Sequence, residues 1–363
     1  MTSPPRLLDP VNLFDIERLG RDALDSSAAD YIAGGSEDEL TLRGNREAWE
    51  ALALRPRCLV DVSARDMSTT LLGAPLTLPV LVAPTGFQML AHPDAELATA
   101  RAAHGAGTIM VLSTFSTRSL EEVAAAAGGR RWFQLYVHRD RGLTRALVER
   151  AAAARYEALV LTVDLPIIGR RERDLRNTFS LPVAMRVANF AEAQSAALHD
   201  GQAGSGLEQF HRGLRDPAFT WKDLDWLASL TDLPLILKGV LRGDDAERSL
   251  DHGVRGIIVS NHGGRQLDGA LPAADALPDI VAALAGRAEV MVDGGVRRGT
   301  DVIKALALGA RAVLLGRPVL WGLAWRGEQG VRRVFELLRQ ELDTAMALCG
   351  IPALTEVTAD LVA

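Results

Sequence analysis

One histidine of this sequence stands where a proton-transferring base would be expected. His262 directly follows the apolar run 257–261 and precedes two glycines. The other histidines lie in ordinary helix or loop contexts. A neutral imidazole needs an orienting partner to serve as a base, and Asp164, at the end of another apolar run, is a candidate. Because no second histidine or cysteine lies at ligand spacing from His262, we predict a general base and no metal site.

A lysine ends an apolar run in a similar way. Lys238 is one of three lysines in a chain that otherwise uses arginine, and it closes the run 235–238. Its aliphatic stem is expected to be buried and its ammonium group to point into a polar site. Such a lysine can form a Schiff base or stabilise a developing negative charge, and the residue alone does not decide between these roles.

Two arginines lie close in sequence to the predicted base and its partner. Arg171 follows Asp164 by a few residues, and Arg265 follows His262 by three. Each guanidinium group offers fixed bidentate geometry, so two of them near one base make a fork for a substrate carboxylate.

Glycines and arginines also follow the last two apolar runs. The segments are Asp293-Gly294-Gly295-Val-Arg297 and Gly316-Arg317. Glycines leave backbone N–H groups bare for an anion, and barrels often bind phosphate with the loops after their last two strands. We therefore predict a phosphate site here.

Apolar runs recur along the chain in a pattern typical of buried parallel strands. There are eight of them, at 80–84, 109–113, 132–136, 159–164, 235–238, 257–261, 290–293 and 313–316. Between them lie alanine-rich patterns of helical period, including 96–104, 120–127, 143–153, 246–252 and 302–308. Eight such alternations predict a (β/α)₈ TIM barrel of the α/β class, whose strand ends form the active rim.

Three segments need a separate interpretation. About the first 70 residues precede the barrel pattern and are predicted to form an N-terminal helical extension, within one domain that spans residues 1–363. The polar excess at 177–220, after the fourth run, should be a mobile loop over the active face. The uncharged stretch 67–91 could cross a bilayer by length, but its prolines favour a hairpin leading into a buried strand.

Composition excludes several classes of function. The chain has 363 residues and a formal net charge of −6 without a basic run, which argues against nucleic-acid and membrane partners. Two cysteines are too few for a disulfide framework, and the first ten residues lack the apolar core of a signal peptide, so we expect a cytoplasmic protein. No GxGxxG, P-loop, HExxH or GxSxG motif is present.

Taken together, these motifs resemble the FMN-dependent α-hydroxy-acid oxidase and dehydrogenase family, which includes glycolate oxidase, lactate oxidase and mandelate dehydrogenase. The likeness extends from Asp30-Tyr31-Ile-Ala-Gly-Gly35 to Gly316-Arg-Pro318, and Ser260-Asn-His-Gly-Gly-Arg-Gln-Leu-Asp268 is its most specific part. The resemblance implies FMN across the barrel mouth and a homotetramer. It implies cofactor contacts from Pro84, Thr85, Gly86, Ser113, Gln134, Thr162, Lys238, Ser260, Asp293, Gly294, Gly295, Arg297, Gly316 and Arg317.

On the substrate side, the resemblance implies a carboxylate clamp of Tyr31, Arg171 and Arg265. Tyr136 would hydrogen-bond the reacting oxygen, and His262 with Asp164 would take a proton, either from the hydroxyl in a hydride route or from the α-carbon in a carbanion route. Lys238 would face the flavin N1/O2 edge and stabilise negative charge there. The activity implied is oxidation of an L-2-hydroxy acid to a 2-oxo acid, with O₂ as acceptor and H₂O₂ as product.

Two positions depart from the family pattern. Phe115 stands where the glycolate oxidase pattern has tryptophan, and Gly86 stands where many members carry alanine. With Ile168, Phe87 and, as a further candidate source, side chains of the 177–220 loop, Phe115 should form an apolar wall facing the α-carbon substituent, which predicts a substrate larger than glycolate.

Other readings of the same residues remain open at this point. A soluble dehydrogenase of the same family would pass electrons to a quinone or a protein. A flavin-free lyase or isomerase would use Lys238 as a Schiff base. A barrel kept as a binding or scaffold protein would not need so many chemical residues at its rim.

Overall fold

Eight parallel strands close into a barrel. The computed structural model describes residues 9–182, 185–191 and 213–363. An antiparallel hairpin of β1 (Thr69–Leu71) and β2 (Ala74–Leu76) precedes the barrel strands, which are β3 (Val80–Val82), β4 (Met110–Leu112), β5 (Arg131–Leu135), β6 (Leu159–Thr162), β7 (Leu235–Val240), β8 (Gly256–Val259), β9 (Glu289–Asp293) and β10 (Ala312–Leu315). Each barrel strand pairs with the next, and β10 pairs with β3. The predicted TIM-barrel fold is confirmed, as is the predicted hairpin.

The barrel wall is buried on both faces, which explains why its strands are continuous apolar runs. In β6, Val160 packs inside the barrel with Ile236 and Ile258, whereas Leu159 and Leu161 pack toward the helices. The barrel interior is therefore a packed core, and polar side chains are concentrated where the strands end.

Helices surround the barrel. They are α1 (Leu13–Asp22), α2 (Ser26–Ala33), α3 (Leu40–Ala51), α4 (Ala95–Gly105), α5 (Leu120–Ala126), α6 (Arg141–Ala153), α7 (Glu172–Arg176), α8 (Trp221–Ala228), α9 (Gly243–Leu250), α10 (Ala273–Leu284), α11 (Gly299–Ala307) and α12 (Arg317–Cys349). The five helical patterns named above fall on α4, α5, α6, α9 and α11. Helix α12 is interrupted by non-helical backbone at Arg326 and Gly327.

The predicted N-terminal extension is helical. Helix α1 packs on α12, and α3 reaches the rim of the barrel. There the Asn45 side chain donates to Asn261 Oδ1 at 2.8 Å, and Trp49 Nε1 donates to the Gly294 carbonyl at 2.7 Å. The extension therefore contacts the loops that follow β8 and β9.

The predicted loop at 177–220 falls partly on residues 183–184 and 192–212, which lie outside the described residues. Its predicted mobility stays a prediction. Among the residues that the structure describes, no helix is long and apolar enough to cross a membrane.

One buried carboxylate joins the extension to the loop after β9. Asp301, 1% exposed, accepts from the backbone N–H groups of Arg297 and Arg298 at 2.9 and 3.0 Å. It also accepts from both terminal nitrogens of Arg46 on α3, one of them at 2.9 Å. Asp301 thus fixes the glycine-containing loop before α11 and holds α3 against it.

Replacing Asp301 with alanine should destabilise the whole chain. Asp301→Ala leaves a partly buried guanidinium group and two backbone donors without their acceptor, so we expect the free energy of unfolding to fall by about 2–4 kcal/mol. Urea unfolding monitored by circular dichroism measures this. Asp244→Ala, which removes an exposed ion pair with Arg242, is the control and should hardly move the midpoint. Equal midpoints for the two variants would contradict the role given to Asp301.

Candidate active site

The ends of β7, β8 and β9 share one buried ionic group. Lys238 Nζ lies 2.9 Å from Asp293 Oδ2 and donates to Ser260 Oγ at 2.8 Å, and Ser260 Oγ donates to Asp293 Oδ1 at 2.6 Å. Burial opposes the charge on Lys238, but Asp293 and Asp164 outweigh it and raise the pKa of the ammonium group. A Schiff-base nucleophile must be neutral, so this lysine is suited to stabilising negative charge instead.

His262 is oriented by a carboxylate, as the sequence predicts. Its Nδ1 lies 3.0 Å from Asp164 Oδ1. An ionised carboxylate only accepts hydrogen bonds, so Nδ1 carries the hydrogen and Nε2 keeps a free lone pair. Burial lowers the pKa of His262 although Asp164 opposes the change, so the ring is neutral around pH 7. His262 is therefore a base ready to accept a proton.

A glycine in a strand irregularity makes room for Asp164. The β7–β8 pairing shifts its register between Lys238 and Val240, and Gly239 has a φ of +105°. A Cβ on Gly239 would lie 2.5 Å from Cβ and Cγ of Asp164. The sequence analysis missed this glycine, although its position directly after Lys238 was visible.

Two guanidinium groups lie together with a tyrosine from α2. The Arg265 and Arg171 guanidinium carbons are 4.9 and 5.9 Å from the centroid of the Tyr31 ring. Arg265 Nη1 donates to the backbone carbonyls of Tyr31 and Gly34, at 2.7 and 2.9 Å. Arg171 Nε is buried, and no described residue accepts from it. Burial, with Arg171 nearby, lowers the pKa of Arg265 to about 10, which leaves it charged at neutral pH. This group can bind a carboxylate.

Aromatic side chains form another wall of the same cavity. Phe115 lies 5.3 Å from Tyr136, 5.8 Å from Phe190 and 6.2 Å from Phe87, measured between ring centroids. The sequence analysis named these residues except Phe190. Ile168 packs against the core but does not line the cavity, in contrast to its predicted place in the wall.

A further arginine, Arg215, was also missed. It is 4% exposed, lines the cavity and lies with its guanidinium carbon 3.6 Å from the Tyr136 ring centroid. Arg215 falls in the 177–220 segment, which the sequence analysis named as a candidate source of wall side chains, but no motif singles out this arginine.

The phosphate motifs meet on the same cavity, where Arg317 and Arg265 donate to the same Gly34 carbonyl. Gly294 and Gly295 have φ values of +96° and +79°, and a Cβ on Gly295 would lie 2.0 Å from the Asn45 carbonyl oxygen. Arg297 is partly buried, with Glu17 as its ion-pair partner at 3.8 Å, and burial lowers its pKa. Arg317 donates to three backbone carbonyls and has its pKa lowered by burial and by neighbouring arginines. A polyanion would relieve this crowding of positive charge.

The structure brings most predicted site residues to this cavity. Its lining includes Tyr31, Pro84, Thr85, Gly86, Ser113, Phe115, Tyr136, Arg171, Lys238, His262, Arg265, Asp293, Gly294, Gly295, Arg297, Gly316 and Arg317. Four of the predicted residues do not line the cavity. Asp164, Ser260 and Gln134 hydrogen-bond residues that line it, and Thr162 hydrogen-bonds Gln134. Gln134 accepts from Ser113 Oγ at 3.3 Å and donates to Thr162 Oγ1 at 3.0 Å. Among the described residues, no cluster of side chains suits a metal ion.

Comparisons with known proteins agree with this arrangement. A family described as FMN-dependent dehydrogenase matches residues 20–363. An L-lactate oxidase of Nostoc sp. is 56% identical over 352 residues, covering 96% of both chains. A peroxisomal (S)-2-hydroxy-acid oxidase of Oryza sativa subsp. japonica is 52% identical, covering 96% of this chain and 94% of its own. The crystal structure of a mandelate oxidase with (S)-4-hydroxymandelic acid superposes with a TM-score of 0.93 at 47% identity, covering 96% of this chain and 98% of its own.

Adding one methyl group at Gly239 tests whether the position of Asp164 depends on the space there. Gly239→Ala should displace the Asp164 carboxylate and lengthen its bond to His262, because no side chain fits there. Loss of the carboxylate lowers the pKa of His262 further, which an NMR titration of the histidine rings measures.

Gly253→Ala is a matched control for this substitution. Gly253 also has a positive φ, of +72°, but a Cβ there meets nothing within 4 Å. Both variants therefore carry backbone strain of about 1–3 kcal/mol, whereas only Gly239→Ala should change the titration of His262. If the two variants titrate alike, Gly239 does not position Asp164.

Proposed function

This chain belongs to the FMN-dependent dehydrogenase family, and from that premise we propose that it oxidises (S)-2-hydroxy acids larger than glycolate to 2-oxo acids, with O₂ as acceptor. One observation carries the proposal. A neutral, carboxylate-oriented His262 lies on the same cavity as Arg171 and Arg265, which form no salt bridge with any described residue. A base beside two guanidinium groups that can bind a carboxylate suits an acid whose hydroxyl lies next to its carboxyl group.

The chemistry of the cavity supports FMN as the cofactor. Two partly buried arginines, Arg297 and Arg317, and two glycines of positive φ, Gly294 and Gly295, lie on the cavity, which suits a terminal phosphate. We assign the phosphate to Gly294, Gly295, Arg297, Gly316 and Arg317, the ribityl chain to Asp293, and the ring to Pro84, Thr85, Gly86, Ser113, Gln134, Thr162 and Lys238, with Ser260 holding Lys238. When bound, FMN supplies the two-electron acceptor for oxidation of the substrate α-carbon.

The residues of this chain would bind the substrate, accept the proton and stabilise the charge that forms. Arg171, Arg265 and Tyr31 would bind the substrate carboxylate and orient the α-carbon, and Tyr136 would hydrogen-bond the reacting oxygen. His262 Nε2 would accept a proton from the hydroxyl or the α-carbon, while Asp164 stabilises the imidazolium that forms. Lys238, whose pKa is raised, would oppose the negative charge that reduction places on the cofactor.

The acceptor distinguishes an oxidase from a quinone-linked or protein-linked dehydrogenase. The named relatives of this chain are oxidases, which supports O₂. The purified protein should be yellow, and a 2-hydroxy acid should bleach the flavin when air is excluded. Air should then restore the colour with release of H₂O₂. Bleaching without reoxidation by air would indicate the dehydrogenase, and no bleaching by any 2-hydroxy acid would refute the function.

Compartment and assembly follow from the sequence analysis alone. We propose a cytoplasmic homotetramer that acts on small molecules and has no nucleic-acid or membrane partner. The family resemblance supports the tetramer, and the net charge of −6 supports the absence of polyanionic partners. Light scattering coupled to gel filtration measures the assembly.

Loss of the base should slow flavin reduction without removing the flavin. His262→Asn should retain folding and FMN while reducing the rate by about two to four orders of magnitude, the scale for a positioned general base. Asp164→Asn should cost less, because its role is to orient and stabilise the imidazolium. Anaerobic stopped-flow absorbance measures both rates, and near-normal reduction in His262→Asn would exclude it as the base.

The aromatic wall predicts the order of substrates. Lactate, 2-hydroxyoctanoate or mandelate should have a higher kcat/KM than glycolate, since each buried methylene is worth ~0.8 kcal/mol, about a fourfold gain. Phe115→Trp should bring kcat/KM for the larger acids closer to kcat/KM for glycolate, because a larger ring would fill space near Tyr136 and Phe190. Oxygen uptake with the four acids measures this for both proteins. A wild-type preference for glycolate would contradict an apolar wall.

A further inference from the structure

Arg215 places a buried positive charge on the aromatic side of the substrate cavity. Its guanidinium carbon lies 3.6 Å from the Tyr136 ring centroid and 5.5 Å from that of Phe115. Tyr31, by contrast, has the guanidinium groups of Arg171 and Arg265 over its ring. The cavity therefore has one cationic group at its carboxylate fork and another, Arg215, beside Tyr136 and Phe115, close enough to the fork that burial and Arg171 together lower the pKa of Arg215.

No acidic residue that the structure describes is in salt-bridge contact with Arg215: Asp164 attracts its charge from farther away, and burial still lowers the pKa of Arg215 to about 10. The neighbouring carboxylate of Asp216 lies instead against Arg141 at 2.7 Å. Arg215 Nη1 donates to the Leu165 carbonyl at 3.0 Å, and Nε is buried without an acceptor among the described residues. A buried cation with an unused donor is costly unless an anion or another acceptor reaches it.

Backbone contacts hold Arg215 in this place. The Arg139 N–H donates to the Leu214 carbonyl at 2.9 Å, and the Asp216 N–H donates to the Val137 carbonyl at 3.2 Å. Arg139 Nε also donates to the Arg215 carbonyl at 3.0 Å. The segment that carries Arg215 is thus bound to Val137 and Arg139, which follow Tyr136 directly after β5. Such fixation reduces the entropy that binding a ligand would cost.

We propose that Arg215 binds a second acidic group on the substrate, so that the preferred substrates are 2-hydroxy acids with a terminal carboxylate on the α-carbon substituent. This inference rests on the proposed function and names its substrate class. The α-carboxylate occupies the fork of Arg171 and Arg265, and the distal carboxylate accepts from Arg215. A guanidinium fork against an aromatic ring matches the planar geometry of a carboxylate.

The test compares an acid with an amide of nearly equal shape. (S)-2-Hydroxyglutarate and its 5-carboxamide differ only in the charge at the distal end, and (S)-malate and (S)-2-hydroxyadipate vary the chain length. In the wild type, kcat/KM for the best diacid should exceed that of its amide by roughly 10- to 100-fold, as expected when one charge-assisted hydrogen bond is gained. Added salt should reduce this ratio if the distal charge is what Arg215 binds.

Variants at two arginines separate binding from support of the segment. Arg215→Gln should bring the acid-to-amide ratio close to one, and Arg215→Lys should give an intermediate ratio because it keeps the charge but loses the fork. The ratio is taken within each protein, so a general loss of activity cancels. Arg139→Gln removes one of the three bonds that hold this segment but leaves the two backbone bonds and the cavity charge, so it is the matched control and should keep the wild-type ratio.

Each outcome supports or overturns the binding of a distal carboxylate by Arg215. A wild-type ratio of one or below, for every chain length, overturns the inference while oxidation of lactate or mandelate leaves the proposed function intact. A high ratio that persists in Arg215→Gln also overturns it, because another group would then bind the acid. Failure of all hydroxy acids to bleach the flavin removes both proposals. If Arg215→Gln does not fold, Arg215→Lys decides instead, because an unchanged ratio in that variant overturns the inference and an intermediate ratio supports it.

Discussion

Closure of a parallel barrel brings all strand ends to one rim, where polar side chains are buried and must bind one another. The group of Lys238, Ser260 and Asp293 is the interaction on which the site depends, because it joins the ends of β7, β8 and β9. Ser260 Oγ also accepts from the His262 backbone N–H at 3.1 Å. The ion pair that fixes the charge of the lysine therefore also fixes the start of the loop that carries the base.

Positive charge exceeds negative charge around the rest of the cavity. Arg265 and Arg317 are partly buried and bind mainly backbone carbonyls, which accept hydrogen bonds but do not neutralise charge. Such an arrangement is unfavourable in isolation, and it becomes favourable when anions occupy the cavity. A phosphate and a carboxylate bound in this cavity would supply that charge. The stability of the rim and its affinity for anions therefore have the same physical origin.

The sequence predicted the barrel because burial on both faces imposes continuous apolar runs, and it predicted most site residues because they end those runs. His262, Lys238 and Asp164 were found in this way. Arg215 was not, since it reaches the cavity from an irregular segment through pairing with residues after β5. Ile168, which was predicted in the wall, follows β6 in a loop, where position in the sequence does not fix the direction of a side chain, and it does not line the cavity.

The N-terminal extension determines the conformation of the base as well as covering the barrel. His262 has a φ of +59°, which is costly for a side chain with a Cβ, by about 1–3 kcal/mol. The glycines that follow it allow close packing, since a Cβ on Gly264 would lie 2.6 Å from the Leu42 nitrogen of α3. The Ser36 N–H donates to the Gly264 carbonyl at 2.8 Å. Contacts from the extension thus offset the strain at His262, and a barrel without the extension would lose both Tyr31 and the fixed position of the imidazole.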